Sequence, residues 1–354
     1  MLLRAVGWAL VALALSLFFF SPRLWILAHP MPGSTYWDRG LQFVQQCDSP
    51  IGSPLSDAGL VWRLAPAVLA KTLGLHGMAV FIVPWLGLLV LLMQCAWLVL
   101  RRTGDGRLAA LATALVGTTS ATLTVTGWLG LNDAWYASAL VAVAFQPALP
   151  VLLLAVCIGP WIDERFILVL PLTLWVRATA LGPGWKPKVS LAAAAAGLAV
   201  YAVTRSFNLL HLPATAFHGY LQYIFANFQQ WLPWTTLGWF MGLRAAWVLV
   251  VVAMGGECRR ADLRSALWPA ALMAAPLAAI TFLASDTGRT TTMLLPLVLL
   301  GVERMMALRG AEAARRILTI LLIANLLMPA MHVTYQSGDI INMLPVEIVR
   351  WLRH

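Results

Sequence analysis

The sequence predicts an all-α integral membrane protein, because its hydrophobic, tryptophan and basic residues are distributed as a lipid bilayer requires. Hydrophobic residues make up 61% of the 354 positions and charged residues only 11%, against about 25% charged in ordinary soluble domains. Many of the 17 tryptophans lie at the ends of apolar runs, where lipid headgroups are expected. The net charge of +10 comes largely from short loops between those runs, as in cytoplasmic loops, so a nucleic-acid partner is not expected.

Apolar windows long enough to meet the hydrocarbon core recur along the chain. They lie at residues 5–21, 77–100, 108–127, 134–160, 166–182, 189–204, 238–256, 266–284, 290–308 and 316–333. The first follows Arg4 and lacks a small-residue cleavage pattern, so an uncleaved signal anchor is predicted.

The segment 134–160 is ambiguous, because Gln146, Pro147 and Pro150 interrupt it. It is either one kinked helix or two short helices joined by a turn. Only the two-helix interpretation places the later basic loops, such as the one with Lys186 and Lys188, on the cytoplasmic side. About eleven membrane segments (ten to twelve) are therefore predicted, some of them half-length and covering a cavity.

The chain is interpreted as one polytopic domain, residues 1–354, with the N-terminus inside. External loops are predicted at about 22–76 and 205–237, with an external tail at 334–354. Both loops have stretches that mix aromatic and polar residues, which favours amphipathic helices along the membrane surface.

Polar clusters occur where apolar runs end on the predicted external side, and charges there are functional candidates. The candidates are Asp38, Asp133, the run Asp163, Glu164 and Arg165, and the pair Asp286 and Arg289. Each has a structural alternative: Asp133 and Asp286 could cap helices, and the run could be a salt-bridged turn. The functional interpretation is a site where carboxylates bind hydroxyls and arginines bind a phosphate.

No metal or cofactor motif is visible. Cys47, Cys95, Cys157 and Cys258 lack metal-ligand spacing, and neither His211 nor His218 has a carboxylate or Cys at ligand spacing. The sequence leaves open whether a divalent cation binds.

This arrangement resembles the GT-C superfamily of membrane glycosyltransferases. The resemblance rests on an external Asp38 after the first span, the stretch Trp62 to Ala70 with Arg63 and Pro66, Asp133 before a half-helix, the pattern from Asp163 to Pro171, and the start of a late span from Ala284 to Arg289.

The resemblance implies transfer of a sugar from a polyprenyl-phosphate donor to a glycan or lipid acceptor, outside a bacterial inner membrane. Asp38 would then be the general base. Arg63, Arg165 and Arg289 would stabilise the leaving phosphate, with the sugar near Asp133 and Glu164. The alternatives are a transporter or flippase of a lipid-linked substrate, a non-catalytic relative, and a structural subunit.

Overall fold

The structure, a computed structural model, is almost entirely α-helical and describes residues 1–24, 35–51, 63–209, 231–258, 263–283, 286–334 and 337–353. The helices are α1 (Leu2–Phe19), α2 (Thr35–Asp48), α3 (Leu64–Thr72), α4 (Ile82–Thr103), α5 (Gly106–Gly117), α6 (Ser120–Gly127), α7 (Asp133–Phe145), α8 (Leu149–Ile162), α9 (Arg165–Leu181), α10 (Pro187–Leu209), α11 (231–243), α12 (Trp247–Cys258), α13 (Leu263–Leu283), α14 (Thr287–Thr290), α15 (Leu295–Leu327) and α16 (Leu344–Arg353). Strands β1 (Ala330–Val333) and β2 (Gly338–Ile341) form an antiparallel hairpin.

The helices have the lengths and composition of an integral membrane protein, as predicted. Six helical stretches of the described chain are long and apolar enough to cross a membrane. A seventh crossing results if α5 and α6, which meet at a bend of 53°, form one broken span. A helix occupies every apolar segment that the sequence marks, but the total of about eleven membrane segments stays a prediction.

The ambiguous segment 134–160 is divided into two helices at the predicted place. Helix α7 ends at Phe145, and α8 begins at Leu149 after a short turn. At 13 and 14 residues, each is about 20 Å long, too short for a hydrocarbon core of about 30 Å. Asp133 at the start of α7 and Asp163 after the end of α8 both bind Arg165, so the pair enters and leaves at the same end.

Helix α15 folds back on itself at Gly310, which has a non-helical backbone (φ 78°). Just before α15, Thr292 lies 3.0 Å from Ser120, while Asn325 near its end donates to the Thr118 hydroxyl at 2.8 Å. A straight helix of 33 residues would separate its two ends by about 50 Å. The two halves are therefore antiparallel, in agreement with the two segments expected at 290–308 and 316–333.

Small residues bring α11 close to α14, the short helix just before α15. A Cβ atom added to Gly242 would lie 2.6 Å from the Gly288 carbonyl oxygen, and one added to Gly238 would lie 3.0 Å from the Gly288 nitrogen. Two glycines four residues apart allow this close backbone approach, as in other membrane helix pairs.

The tail after α15 is more ordered than a simple external tail. It forms the β-hairpin and then α16, an amphipathic helix with exposed Trp351 and Leu352. The external loop at 22–76 contains α2 and α3, whereas residues 210–230 of the second loop, with His211 and His218, lie outside the described residues.

Candidate functional site

Most of the predicted site residues meet at one end of the helices, where arginines and carboxylates alternate in a continuous chain that ends on a histidine. Its order is His332, Asp286, Arg289, Asp133, Arg165, Asp163, Arg63 and Glu164, each within 3.4 Å of the next. The residues come from the turn before α3, from α7, from the α8–α9 turn, from the start of α14 and from β1. Segments that are distant in sequence therefore build one polar cluster.

Asp133 is the centre of the chain and has no exposed side-chain surface. Its Oδ1 accepts from Arg165 Nη2 at 2.8 Å, and its Oδ2 accepts from Arg289 Nε at 2.9 Å. Asp133 is the first residue of α7, and Asn132 before it makes no side-chain capping hydrogen bond; within the described chain, the Asp133 oxygens accept from the two arginines. The helix-cap alternative is thus wrong for its side chain, which joins two arginines of other helices.

Asp163 holds Arg165 from the adjoining turn. Its Oδ1 accepts from both the backbone N–H and Nε of Arg165, at 3.0 and 2.8 Å, and its Oδ2 accepts from Nη2 at 2.6 Å. Burial disfavours the charged carboxylate, but the cations of Arg165 and Arg63 outweigh burial and hold the Asp163 pKa well below its usual value. The carboxylate is therefore ionised at neutral pH, and the expected salt-bridged turn and the candidate site are one structure.

Arg63 forms the outer edge of the cluster. It lies 3.4 Å from both Asp163 Oδ2 and Glu164 Oε2, and 22% of its side chain is exposed. These contacts are longer than the buried ones, and Glu164 is also partly exposed. Arg63 is consequently the arginine of the chain that can most readily exchange a carboxylate for an incoming anion.

Asp286 closes the other end of the chain with a histidine that the sequence interpretation had not selected. Its Oδ2 accepts from Arg289 Nη1 at 2.9 Å, and its Oδ1 lies 2.8 Å from His332 Nε2. Burial opposes ionisation of Asp286, but His332 and Arg289 outweigh it and lower the Asp286 pKa. The His332 ring packs on Trp128 with centroids 4.0 Å apart.

The position of Arg289 answers a question raised by its sequence. An arginine in the first turn of a helix is unfavourably placed against the helix dipole, so a bound phosphate was one expected partner. In the structure, the carboxylates of Asp133 and Asp286 hold it instead. Its role in donor binding therefore stays a prediction, while its role in the cluster is structural.

A small, largely enclosed cleft of about 10 Å³, space for about one water molecule, lies beside the cluster and beneath α2. Arg39, Phe43 and Gln46 of α2 line it together with Arg63, Asn132, Asp163 and Arg289. The three α2 residues are four and three positions apart, which is one helical face. Position 38 precedes this face by one residue, about 100° around the helix. Asp38 therefore lies on α2 beside the lining residue Arg39 but off the lining face, and its side chain lies outside the described residues.

Tyr136 is a further residue of this region. Its ring lies 5.4 Å from the guanidinium carbon of Arg165, and its buried hydroxyl makes no hydrogen bond within the described part of the chain. A position one turn after Asp133 on the same helix face could have indicated it. For His332, no such signal existed, because it lies at the end of an apolar run.

Two arginines inside apolar runs, Arg177 and Arg244, do not snorkel. Arg177 is buried and donates to the carbonyls of Val143 and Gln146 at the end of α7, at 2.7 and 2.6 Å. Arg244 donates to Asn325 O at 2.7 Å and to Thr118 O. Both satisfy carbonyls that broken helices leave without backbone donors.

No group of three or more His, Cys, Asp or Glu side chains is arranged for a metal ion in the ranges that the structure describes. The four carboxylates of the cluster are each paired with a cation.

Comparisons with protein-family models, with curated protein sequences and with solved structures gave no match to this chain.

Proposed function

We propose that the protein is a membrane glycosyltransferase that transfers a sugar from a polyprenyl-phosphate donor to a glycan or lipid acceptor. The observation that carries the proposal is the chain of ion pairs from Asp286 to Glu164, with His332 bound to Asp286, beside a small cleft at the end where the α7–α8 pair enters and leaves. Apolar helical proteins rarely keep so many charges together without a functional reason, because charged groups are costly near lipid.

The donor phosphate would bind at Arg63. A guanidinium binds phosphate oxygens with two parallel hydrogen bonds, and these are stronger than the long contacts that Arg63 makes with Asp163 and Glu164. As the glycosidic bond breaks, negative charge develops on the departing polyprenyl phosphate. Arg63 would stabilise that charge, and Glu164, released from Arg63, would accept a hydrogen bond from a sugar hydroxyl.

Arg165 and Arg289 lie deeper in the protein than Arg63 and stabilise the site indirectly. Arg165 and Arg289 are nearly completely buried and bound to Asp133. They would add positive potential beneath the phosphate and fix the wall of the cleft, rather than contact the donor directly. Asp38, the residue before Arg39 of that cleft, would remove the proton from the acceptor hydroxyl.

The cluster end is proposed to face the extracytoplasmic side. Helix α4 runs from the cluster end, where Trp135 Nε1 donates to Val83 O at 2.8 Å, to the α4–α5 loop at the opposite end, which Arg101, Arg102 and Arg107 flank. Arg309, Arg315 and Arg316 flank the Gly310 turn, and Arg315 lies 3.0 Å from Asp105 of that loop. Basic loops favour the cytoplasm, so the cluster would lie outside.

A transporter or flippase of a lipid-linked substrate is the second candidate. The half-length helices α7 and α8 and the bend between α5 and α6 favour it, since broken helices are common at transport sites. A transporter would need Asp38 only for structure, whereas a glycosyltransferase needs it for proton transfer. The effect of replacing Asp38 on sugar transfer therefore distinguishes the two candidates.

The test is sugar transfer by the purified protein with a polyprenyl-phosphate sugar and an acceptor extract from cell envelopes. Asp38→Asn should lower the rate by about 100-fold or more, the usual contribution of a positioned base. Asp48→Asn is the matched control, because Asp48 is exposed at the other end of α2. Equal activity of the two variants would contradict Asp38 as the base, and absence of transfer by the wild type would contradict the glycosyltransferase proposal.

A further inference from the structure

A second charged cleft lies at the end of the molecule opposite the cluster. It is open, has a volume of about 650 Å³, and is lined by Arg4 and Trp8 of α1, the loop Thr103–Arg107 and Arg315. Its size lies within the range of about 300–1,000 Å³ typical of small-ligand sites. None of these residues takes part in the proposed transfer reaction.

The cleft has an excess of positive charge. Asp105 is the one acid among its described lining residues, and that carboxylate already caps α5 through the Arg107 and Leu108 backbone N–H groups and pairs with Arg315. Arg4 and Arg107 form no ion pair within the part of the chain that the structure describes. Two cations therefore face this space without a protein counter-ion.

Trp8 supplies an independent observation. Its indole Nε1 is buried yet donates to no acceptor in the described chain, and it lies beside Gly106 of the cleft wall. Buried donors nearly always have an acceptor in the protein or in water, so Trp8 Nε1 is a donor available to an oxygen atom bound at the cleft wall. An anionic oxygen atom bound between Trp8 and the arginines would accept from the indole N–H and balance the charge of Arg4 and Arg107.

The cleft also continues onto an apolar surface. Val11 follows Arg4 and Trp8 on one face of α1, at spacings of four and three residues, and is 56% exposed. Leu10 and Leu3 of the same helix are exposed as well. A ligand with an anionic headgroup and an acyl chain would place the headgroup on the arginines and the chain along this helix.

We propose that this cleft binds a phosphate-bearing anion, with an anionic phospholipid headgroup of the cytoplasmic leaflet as the source. Arg4 and Arg107 would bind the phosphate oxygens, and Trp8 Nε1 would donate to one of them. Arg315 would position Asp105 and close the third side. Basic pockets between membrane helices on the cytoplasmic side are suited to such headgroups, because the leaflet itself is anionic.

The experiment titrates the full-length protein in neutral detergent with phosphatidylglycerol, phosphatidylcholine or inorganic phosphate, and follows the thermal unfolding midpoint. Phosphatidylglycerol should raise the midpoint saturably, and phosphatidylcholine should not. Arg4→Gln and Arg107→Gln should each weaken the apparent affinity about fivefold, and Trp8→Phe should weaken it while keeping the ring. Arg316→Gln is the control, since Arg316 is a largely exposed cation of the same end outside the cleft.

Each outcome decides the proposal. If inorganic phosphate produces the same saturable shift and the same variant pattern, the site binds phosphate from solution, and the anion assignment holds. Equal responses of Arg107→Gln, Arg4→Gln and wild type would overturn the site, as would equal stabilisation by phosphatidylcholine. Because Arg4 and Arg107 are exposed, their variants should fold, and intact-protein mass spectrometry of retained lipid gives a second readout.

Discussion

Arg289 donates through Nε to Asp133 at 2.9 Å, although 156 positions separate the two residues. This bond joins the short helix α14 to the start of the half-length helix α7. Arg165 binds the other oxygen of Asp133, so three helices meet at one buried carboxylate. The candidate site and the stability of this end of the protein therefore depend on the same contacts.

Loss of the Asp133 carboxylate should strongly destabilise the protein. Asp133→Ala leaves Arg165 and Arg289 buried without their shared partner, which typically costs about 3–5 kcal/mol of unfolding free energy. Asp48→Ala should cost about 1 kcal/mol or less, because its contact with His76 is exposed. Chemical unfolding of both purified variants would measure the difference, and similar stabilities would show that the cluster is not a structural centre.

The shared contact with Asp133 also determines what Arg165→Ala and Arg289→Ala should do. The sequence alone predicts weaker use of the charged donor for both variants, whereas the structure adds a loss of fold stability. These variants cannot separate binding from folding, so Arg63, at the edge of the cluster, is the better probe of the donor phosphate.

The end of α7 should depend on Arg177. Arg177→Met keeps an apolar chain of similar length but leaves the Val143 and Gln146 carbonyls without their donor, at about 1–3 kcal/mol for each buried group. Arg101→Met, at the exposed end of α4, should cost about 1 kcal/mol or less. Thermal unfolding in detergent compares them, and an unchanged midpoint in Arg177→Met would refute the capping role.

Gly242 should tolerate no side chain. In Gly242→Ala, the added Cβ meets the Gly288 carbonyl, and such overpacking costs about 1–3 kcal/mol. Gly255→Ala is the control, because nothing lies within 4 Å of a Cβ there and α12 gains helix propensity. The unfolding midpoint should fall in the first variant and stay level or rise in the second; the reverse order would argue against close packing of α11.

Acid should weaken the fold through Asp163 and Asp286. Burial raises the pKa of each carboxyl group, but the neighbouring cations outweigh burial. Both pKa values are therefore lower in the folded protein than in the unfolded chain. Stability from these groups is therefore complete above the unfolded pKa of about 3.9, and falls as pH decreases below it. Unfolding midpoints between pH 6 and pH 3 should show this loss, with a smaller loss in Asp286→Asn. An equal pH dependence in that variant would remove Asp286 from the explanation.

The helices and several site residues could be predicted from hydrophobicity, but their partners could not. Pro147 and the basic loops predicted the division of 134–160, because proline and charge act locally. The pairing of Asp133 with Arg289 depends on how distant helices pack, and no local pattern encodes it. His332 was missed since it reaches the cluster only through the β-hairpin, and the capping role of Arg177 needs the position of another helix.

The most direct test of the account is binding of a polyprenyl-phosphate sugar to the purified protein, measured by equilibrium titration in detergent. Arg63→Ala should bind the donor at least tenfold more weakly than wild type and keep its unfolding midpoint, because Arg63 is partly exposed and makes only long contacts. Lys71→Ala, an exposed cation on the adjoining helix α3, should bind like wild type. Wild-type affinity in Arg63→Ala, or absence of donor binding by the wild type, would contradict the proposed site.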